Sequence, residues 1–454
     1  MEKVKAVMSW LLKSDGGSNS ESQHQGFAPS GTAVSNTVSI LVADINGPEG
    51  ALATNRVKDI LSRISGAMVK GAGRSLNIST SKTPIEGLLK AAEKGRDWLT
   101  RNQADILVWG SVEPNDKILT LRFLPLNSAP EGRPGAIGIG DELGLPIHYT
   151  TEIDDVIIAA TLCASNSTQA SGRESFTERL HEYALRAEPL GAIDIPGIAQ
   201  LQMVSVLQMI ANMITTDAKG NADGLTRALT IYLRAIRLIP SDLMSGPRQA
   251  LLYGQYASAL QAMGAQGSSS EPYEQAVEAY KSALGILSRL DYPHDWALSQ
   301  IRLGLTTYHL ARKSDHPKIM GDAIKALEQA LTIFTRATNP GRWAEVKNHI
   351  GVVMTSMGEE LSNNKMLERA IEAFDDSLDV RKREQVVILW AQTTNNLGAA
   401  AFALAKRTED QALMQQATIA FEGAISVYRQ LGQETRAHII EKNLNRAKNH
   451  FSSG

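Results

Sequence analysis

The alternation of apolar and polar positions divides the chain into two regimes with different periods. Val38–Ala43 (VSILVA) is a continuous, β-branched apolar run, the pattern of a buried strand. Ala51–Ile64 then places Ala51, Val57, Ile60, Leu61 and Ile64 at helical spacing. Leu76–Thr80 reads as a second short strand and Pro84–Asn102 as a second helix. Asp105–Val112 (DILVWGSV) and Ile118–Leu126 (ILTLRFLPL) predict an antiparallel hairpin, turning through Glu113–Lys117. The order β-α-β-α-β-β describes a compact α/β sandwich, followed by a Gly- and Pro-rich loop over residues 127–148. From Thr151 onward the helical period dominates to the end.

That second regime repeats. Trp296-Ala297 precedes Leu303-Gly304, Trp343-Ala344 precedes Ile350-Gly351, and Trp390-Ala391 precedes Leu397-Gly398, at a constant step of 47 residues. A second ladder keeps the same step: Ala276/Tyr280/Ala283, Ala323/Leu327/Ala330, Ala370/Phe374/Ser377 and Ala417/Phe421/Ala424. In each trio the spacing i, i+4, i+7 sets small, large and small residues along one helix stripe. One hairpin cannot bury such a stripe, whereas stacked copies can, with terminal units closing the ends. Earlier copies are degenerate: Ala250 with Tyr256, then Ala228/Tyr232/Ala235, then Leu180/Ala184/Ala187. The array therefore starts near residue 195, or near 151 if the last trio counts. Glu434–Phe451, with Ala437, Ile440, Leu444 and Ala447, predicts a capping helix.

These residues resemble the tetratricopeptide repeat. Its first helix carries a large residue followed by Gly, and its second carries Ala-x3-aromatic-x2-Ala, as at Leu397-Gly398 and Ala417/Phe421/Ala424. The usual unit is 34 residues, so both helices here should be about two turns longer and the groove deeper. The Trp-Ala-x5-Leu-Gly variant looks like long-period repeats of bacterial multidomain signalling proteins, including those joined to CHAT-type peptidase domains. The expected fold class is α+β: a small N-terminal α/β sandwich followed by an all-α, tetratricopeptide-like solenoid. The expected domains are 1–36 (amphipathic helix and disordered linker), 37–150 (α/β), 151–194 (helical connector or degenerate repeat) and 195–450 (solenoid).

Bulk properties narrow the function classes. A length of 454 residues exceeds one core. A net charge of −2 gives no electrostatic footprint for nucleic acid. The single cysteine, Cys163, leaves no internal disulfide and no Cys-based zinc cluster, and favours a reducing, cytoplasmic setting. No apolar run reaches the roughly 20 residues of a membrane span. Residues 1–13 read as a short amphipathic helix with Val4, Val7, Met8, Leu11 and Leu12 on one side. It could dock on its own protein, or touch a membrane surface or partner. Residues 14–36, rich in Ser, Gly and Gln, read as a disordered linker.

Few motifs suggest chemistry. Val38–Gly47 (VSILVADING) is superficially similar to the metal-binding strand of class III nucleotide cyclases, but no later strand supplies the second Asp that two metals need. Asp44 and Asn46 are instead expected to cap the following helix. Gly135–Gly144 (GAIGIGDELG) lies outside a strand-to-helix turn, so a flexible loop is expected rather than a dinucleotide site. Trp296, Trp343 and Trp390 are expected to pack between units. The nine His show no metal-ligand spacing, and no nucleophile motif occurs. Val38–Ala43, its helix and Ala104–Val112 (ADILVWGSV) feeding Leu119–Leu126 resemble the amino-terminal domain of TolB and its relatives over about 85 residues. That resemblance implies an interaction or sensing domain.

The resulting expectation is a non-enzymatic scaffold or adaptor without cofactor or metal, binding a protein or peptide partner in the groove. The alternative is a regulatory subunit of a separate signalling enzyme, a CHAT-type protease or a nucleotide cyclase. In tetratricopeptide arrays the first helix of each hairpin lines the concave face. Carried onto the matched positions, this points to Arg302, Tyr308 and His309, then Asn348 and Thr355, then Gln392, Asn395 and Phe402. Asn and Gln side chains suit an extended peptide because each amide can donate and accept.

Overall fold

The structure, a computed structural model, describes residues 38–78, 84–115, 117–127, 133–165, 173–239 and 246–452. The N-terminal amphipathic helix and linker expected over residues 1–36 lie outside them. The chain divides into two compact units between Gly267 and Ser268.

The first unit opens with a five-stranded sheet in the order β2-β1-β3-β4-β5. Its strands are β1 (Val38–Val42), β2 (Ala67–Gly71), β3 (Ile106–Val112), β4 (Ile118–Pro125) and β5 (Leu143–Pro146). β1 runs parallel to both β2 and β3, while β3–β4 and β4–β5 are antiparallel. Helix α1 (Gly50–Ser62) joins β1 to β2, and α2 (Pro84–Asn102) joins β2 to β3. Alternation along the strands sorts the side chains by face. Leu41, Leu107, Trp109 and Leu124 pack with Ala91, Trp98 and Leu99 of α2.

The opposite face, with buried Ile106, Val108, Leu119, Leu121 and Phe123, is covered by α3 (Asp154–Ser165). Eleven of the twelve α3 residues are buried, because this helix also touches α4 (Arg173–Ala187) and α5 (Gln200–Ala218). α6 (Ala222–Arg237) returns antiparallel to α5 around the Asn221 cap, whose side chain accepts from the Asp223 and Gly224 amides. α7 (Pro247–Gln266) completes this unit.

Three local expectations are corrected. The second strand is Ala67–Gly71 and not Leu76–Thr80. β2 is an edge strand whose side chains are largely solvated, so it lacks an apolar run, whereas Leu76 is buried under α2. Asp44 and Asn46 do not cap α1: the N-cap is Glu49, without a side-chain bond. Residues 44–46 instead continue beside β3, with the Asn46 amide on Gly110 O and the Val112 amide on Asn46 O. Finally, the 127–148 stretch contains β5.

The second unit is an antiparallel succession of helices: α8 (Glu271–Ile286), α9 (Pro293–Lys313), α10 (Met320–Leu331), α11 (Pro340–Glu360), α12 (Asn364–Val380), α13 (Val387–Thr408), α14 (Gln411–Gln430) and α15 (Glu434–Ser452). Each packs on the next, and α9–α11 and α11–α13 also touch, the packing of a solenoid. The odd-numbered first helices α9, α11 and α13 have 21, 21 and 22 residues and carry the expected extra turns, whereas the second helices α10, α12 and α14 have 12, 17 and 20, so the expected lengthening of both helices does not hold for α10.

The two sequence ladders meet in the core. A Cβ on Gly304 would stand 2.8 Å from Leu327, one on Gly351 2.6 Å from Phe374, and one on Gly398 3.0 Å from Phe421. Each glycine thus makes room for the large residue of its own second helix. Ser377, which replaces an alanine of the trio, donates its hydroxyl to Ala344 O at 2.7 Å and so buries no unpaired group. Ala437, Ile440, Leu444 and Ala447 of α15 are buried against α14, as the capping reading expected.

The partly buried tryptophans repeat a further contact. The guanidinium groups of Arg289, Arg336 and Arg383 lie 5.4, 5.4 and 5.3 Å from the ring centres of Trp296, Trp343 and Trp390. Each Arg sits seven residues before its Trp, in the turn that enters a first helix. The tryptophans thus fasten the turns between hairpins.

Candidate functional site

The first helices of the array carry a polar ladder at the 47-residue step: Gln208 on α5, Gln255 on α7, Arg302 on α9, His349 on α11 and Asn396 on α13. Within each unit, polar residues 47 or 48 positions apart on neighbouring first helices touch. Gln208 Nε2 donates to Gln255 Oε1 at 2.9 Å and Asn396 Nδ2 to Asn348 Oδ1 at 3.1 Å. The Tyr308 and Ser356 hydroxyls share a hydrogen bond of 2.6 Å.

In the first unit this row is occupied by the chain itself. The segment Arg133–Gly144, expected to be a flexible loop, lies against α5 and reaches α7. At one end the Gly135 carbonyl accepts from Thr216 Oγ1 at 3.0 Å and from the Cys163 thiol at 3.5 Å. Gly135 has φ +73° and a Cβ there would fall 2.4 Å from Asn212 O, so only glycine fits. At the other end the Gly144 amide donates to Ser205 Oγ at 3.0 Å.

Between them Asp141 is 2% exposed. Its Oδ1 accepts from Gln208 Nε2 and Gln255 Nε2, both at 2.8 Å, and its Oδ2 from the Gly138 amide at 2.7 Å. Burial pushes the Asp141 carboxyl up to about 6, although these donors and the nearby Arg122 charge pull the other way. Glu142 is held next to it by Arg122 and Arg248. Burial also raises the Cys163 thiol to about 11, which makes it a poor nucleophile at neutral pH.

In the second unit the eight residues singled out from sequence fall into two groups. Tyr308, Asn348, Thr355, Gln392 and Asn395 are buried. Tyr308 and Asn348 belong to the rungs just described, and the Thr355 hydroxyl bonds back to Gly351 O. Arg302, His309 and Phe402 remain half-buried. The His309 ring stacks on Tyr273 with centroids 5.6 Å apart, and burial lowers its pKa to about 4, so it is neutral at physiological pH.

Sequence reading overlooked His349, whose Nε2 lies 3.9 Å from Glu345 Oε1. Burial alone would raise the Glu345 carboxyl, but His349 and Arg342, the latter at 2.8 Å, outweigh it and hold the carboxyl at about 2. Asp141, Gln208, Gln255 and Asn396 were overlooked as well. The 47-residue ladder through 208, 255, 302, 349 and 396 was the available signal, but its side chains vary where those of the core trios are nearly constant.

Among the described residues, no group of three or more His, Cys, Asp or Glu could hold a metal ion. No described helix is long and apolar enough to cross a membrane. The chain matches no protein-family model. A search of curated proteins found no significant relative. An α/β domain followed by stacked helical hairpins is consistent with a general role in protein interaction.

Proposed function

We propose that this protein is a non-catalytic, cytoplasmic interaction scaffold. Its array, of the tetratricopeptide kind, holds an extended partner segment along the first-helix row, and the α/β domain, of the TolB amino-terminal kind, recruits or senses a second component. The observation that carries this reading is Arg133–Gly144. This segment, which turns at Arg133–Ala136 and again at Gly138–Asp141, lies on α5 and α7 through backbone groups and a buried carboxylate, so the row already accepts a chain segment in one place. Backbone contacts supply affinity in such binding and pockets for individual side chains supply specificity. The buried, unreactive Cys163 suits a reducing compartment.

Photo-crosslinking in the native cell tests the proposal. A benzophenone side chain is placed at Leu305 or Ala399, half-buried residues on α9 and α13, or at Gln329, exposed on α10. The expected result is one discrete crosslinked partner from the first-helix positions and none from Gln329. Equal labelling from all three, or from Gln329 alone, would refute a docking surface on this row.

A further inference from the structure

The docked segment shows what kind of side chain the row takes. One carboxylate, Asp141, is read by equivalent residues of two successive first helices, Gln208 and Gln255. Two repeats further along, the same positions hold Arg302 on α9 and His349 on α11. Arg302 is a stronger donor toward an anion than a glutamine amide, since a charged donor makes a shorter and stronger bond, and the His349 imidazole adds a second nitrogen that can donate. Both also have unspent capacity. Arg302 Nε and His349 Nδ1 are buried with no hydrogen-bond partner among the described residues, and the His349 side chain is 8% exposed. A buried polar atom without a partner costs free energy that a bound acceptor returns.

Glu345, one turn before His349, does not fill that role. Its carboxylate is engaged by Arg342 and faces the Nε2 edge of the imidazole, which leaves Nδ1 on the other side of the ring. Nδ1 donates whenever its hydrogen resides there.

We propose that Arg302 and His349 form a carboxylate-reading pair that takes an aspartate or glutamate side chain of an extended partner segment, as Gln208 and Gln255 take Asp141. The difference in residue type follows from the difference in connectivity. The Asp141 segment is tethered in the same chain, so its effective concentration is high and neutral amides suffice. A segment arriving from solution has no such advantage, and the charge-assisted Arg302 donor makes up for it. The proposal rests on the first-helix row being a docking surface, and it adds the chemistry that surface selects.

The test uses the full-length chain and fluorescence anisotropy with short, C-terminally amidated, Gly- and Ile-containing peptides. They differ only in a central Asp, Glu, Asn or Lys. The wild-type chain is expected to bind the Asp or Glu peptide at least about tenfold more tightly than the Asn peptide. Arg302→Ala/His349→Ala is expected to lose that preference. Arg302→Gln/His349→Gln, which recreates the Gln208/Gln255 pair, is expected to keep it at reduced strength. Circular dichroism melts confirm that each variant is folded.

Equal binding of the Asp and Asn peptides by wild type would overturn the pair, as would an undiminished preference in the double-alanine variant. A further peptide has a free C-terminus and no acidic side chain. If it alone binds, the side-chain assignment is overturned in favour of a terminal carboxylate. If no peptide of the panel binds at all, the docking surface falls and the pair falls with it. An acid-blind interaction removes the pair alone.

Discussion

Asp141 is the residue on which the docking of Arg133–Gly144 turns, and its protonation should be visible in stability. Its folded pKa, about 6, lies above the ordinary value of 3.8. The folded state therefore binds the proton more tightly than the unfolded state does. The stabilisation is fully present below about pH 4 and is lost as pH rises through 6. Between pH 7 and pH 5 the wild-type chain should gain on the order of 1 kcal/mol relative to Asp141→Asn, which cannot titrate, in urea unfolding followed at both pH values. Equal pH dependence in the two proteins would place Asp141 outside the core. A second residue reports on the same docking. Cys163 is buried under the Gly135 carbonyl, so it should resist alkylation in the native chain. Gly135→Val, which forces the segment off Asn212 O, should speed Cys163 alkylation at least about tenfold, since exposure and thiolate fraction both rise.

At the scale of the helix pair, stability depends on how closely a first helix approaches its second. Gly351→Ala puts a methyl 2.6 Å from the Phe374 ring and should cost about 1–3 kcal/mol by overpacking. Gly341→Ala, in the same helix with nothing within 4 Å, should be neutral or stabilising by up to about 1 kcal/mol. Thermal unfolding of the two variants separates packing from helix propensity. Arg383→Ala should cost about 0.5–1 kcal/mol through loss of its contact with Trp390, and Arg383→Lys should recover part of it.

Elements with strong periodicity were legible from sequence for the same reason that they are stable. The helix over Pro84–Asn102 has the expected bounds, and the 47-residue trios lie in the core, because burial imposes a pattern on the chain. β2 escaped because an edge strand buries little, and β5 because it is four residues long within a Gly-rich stretch. The capping reading of Asp44 and Asn46 failed because strand pairing extends past β1 to the Asn46–Ser111 bridge. Of the candidate site, the sequence period marks out which helices are the first of each hairpin. Which side chains form rungs and which stay accessible depends on lateral packing between first helices, and a single sequence does not encode that in its period.

For the whole molecule, the repeat has two consequences that a single hairpin lacks. The core residues recur almost unchanged at a step of 47 residues in the sequence. The ladder residues change from Gln to Arg, His and Asn, so each repeat carries its own chemistry at the same position of its first helix. In the first unit one such interval holds a segment of the same chain, and this fastens the first helices of the array to the α/β domain. We propose the first-helix row of α9, α11 and α13 as the working surface, and a bound partner must then shield it. Hydrogen exchange of the protein, alone and saturated with the crosslinked partner, decides this. Slowed exchange concentrated in α9, α11 and α13 is the predicted result. Protection confined to α10, α12 and α14, or to the α/β domain, would contradict it.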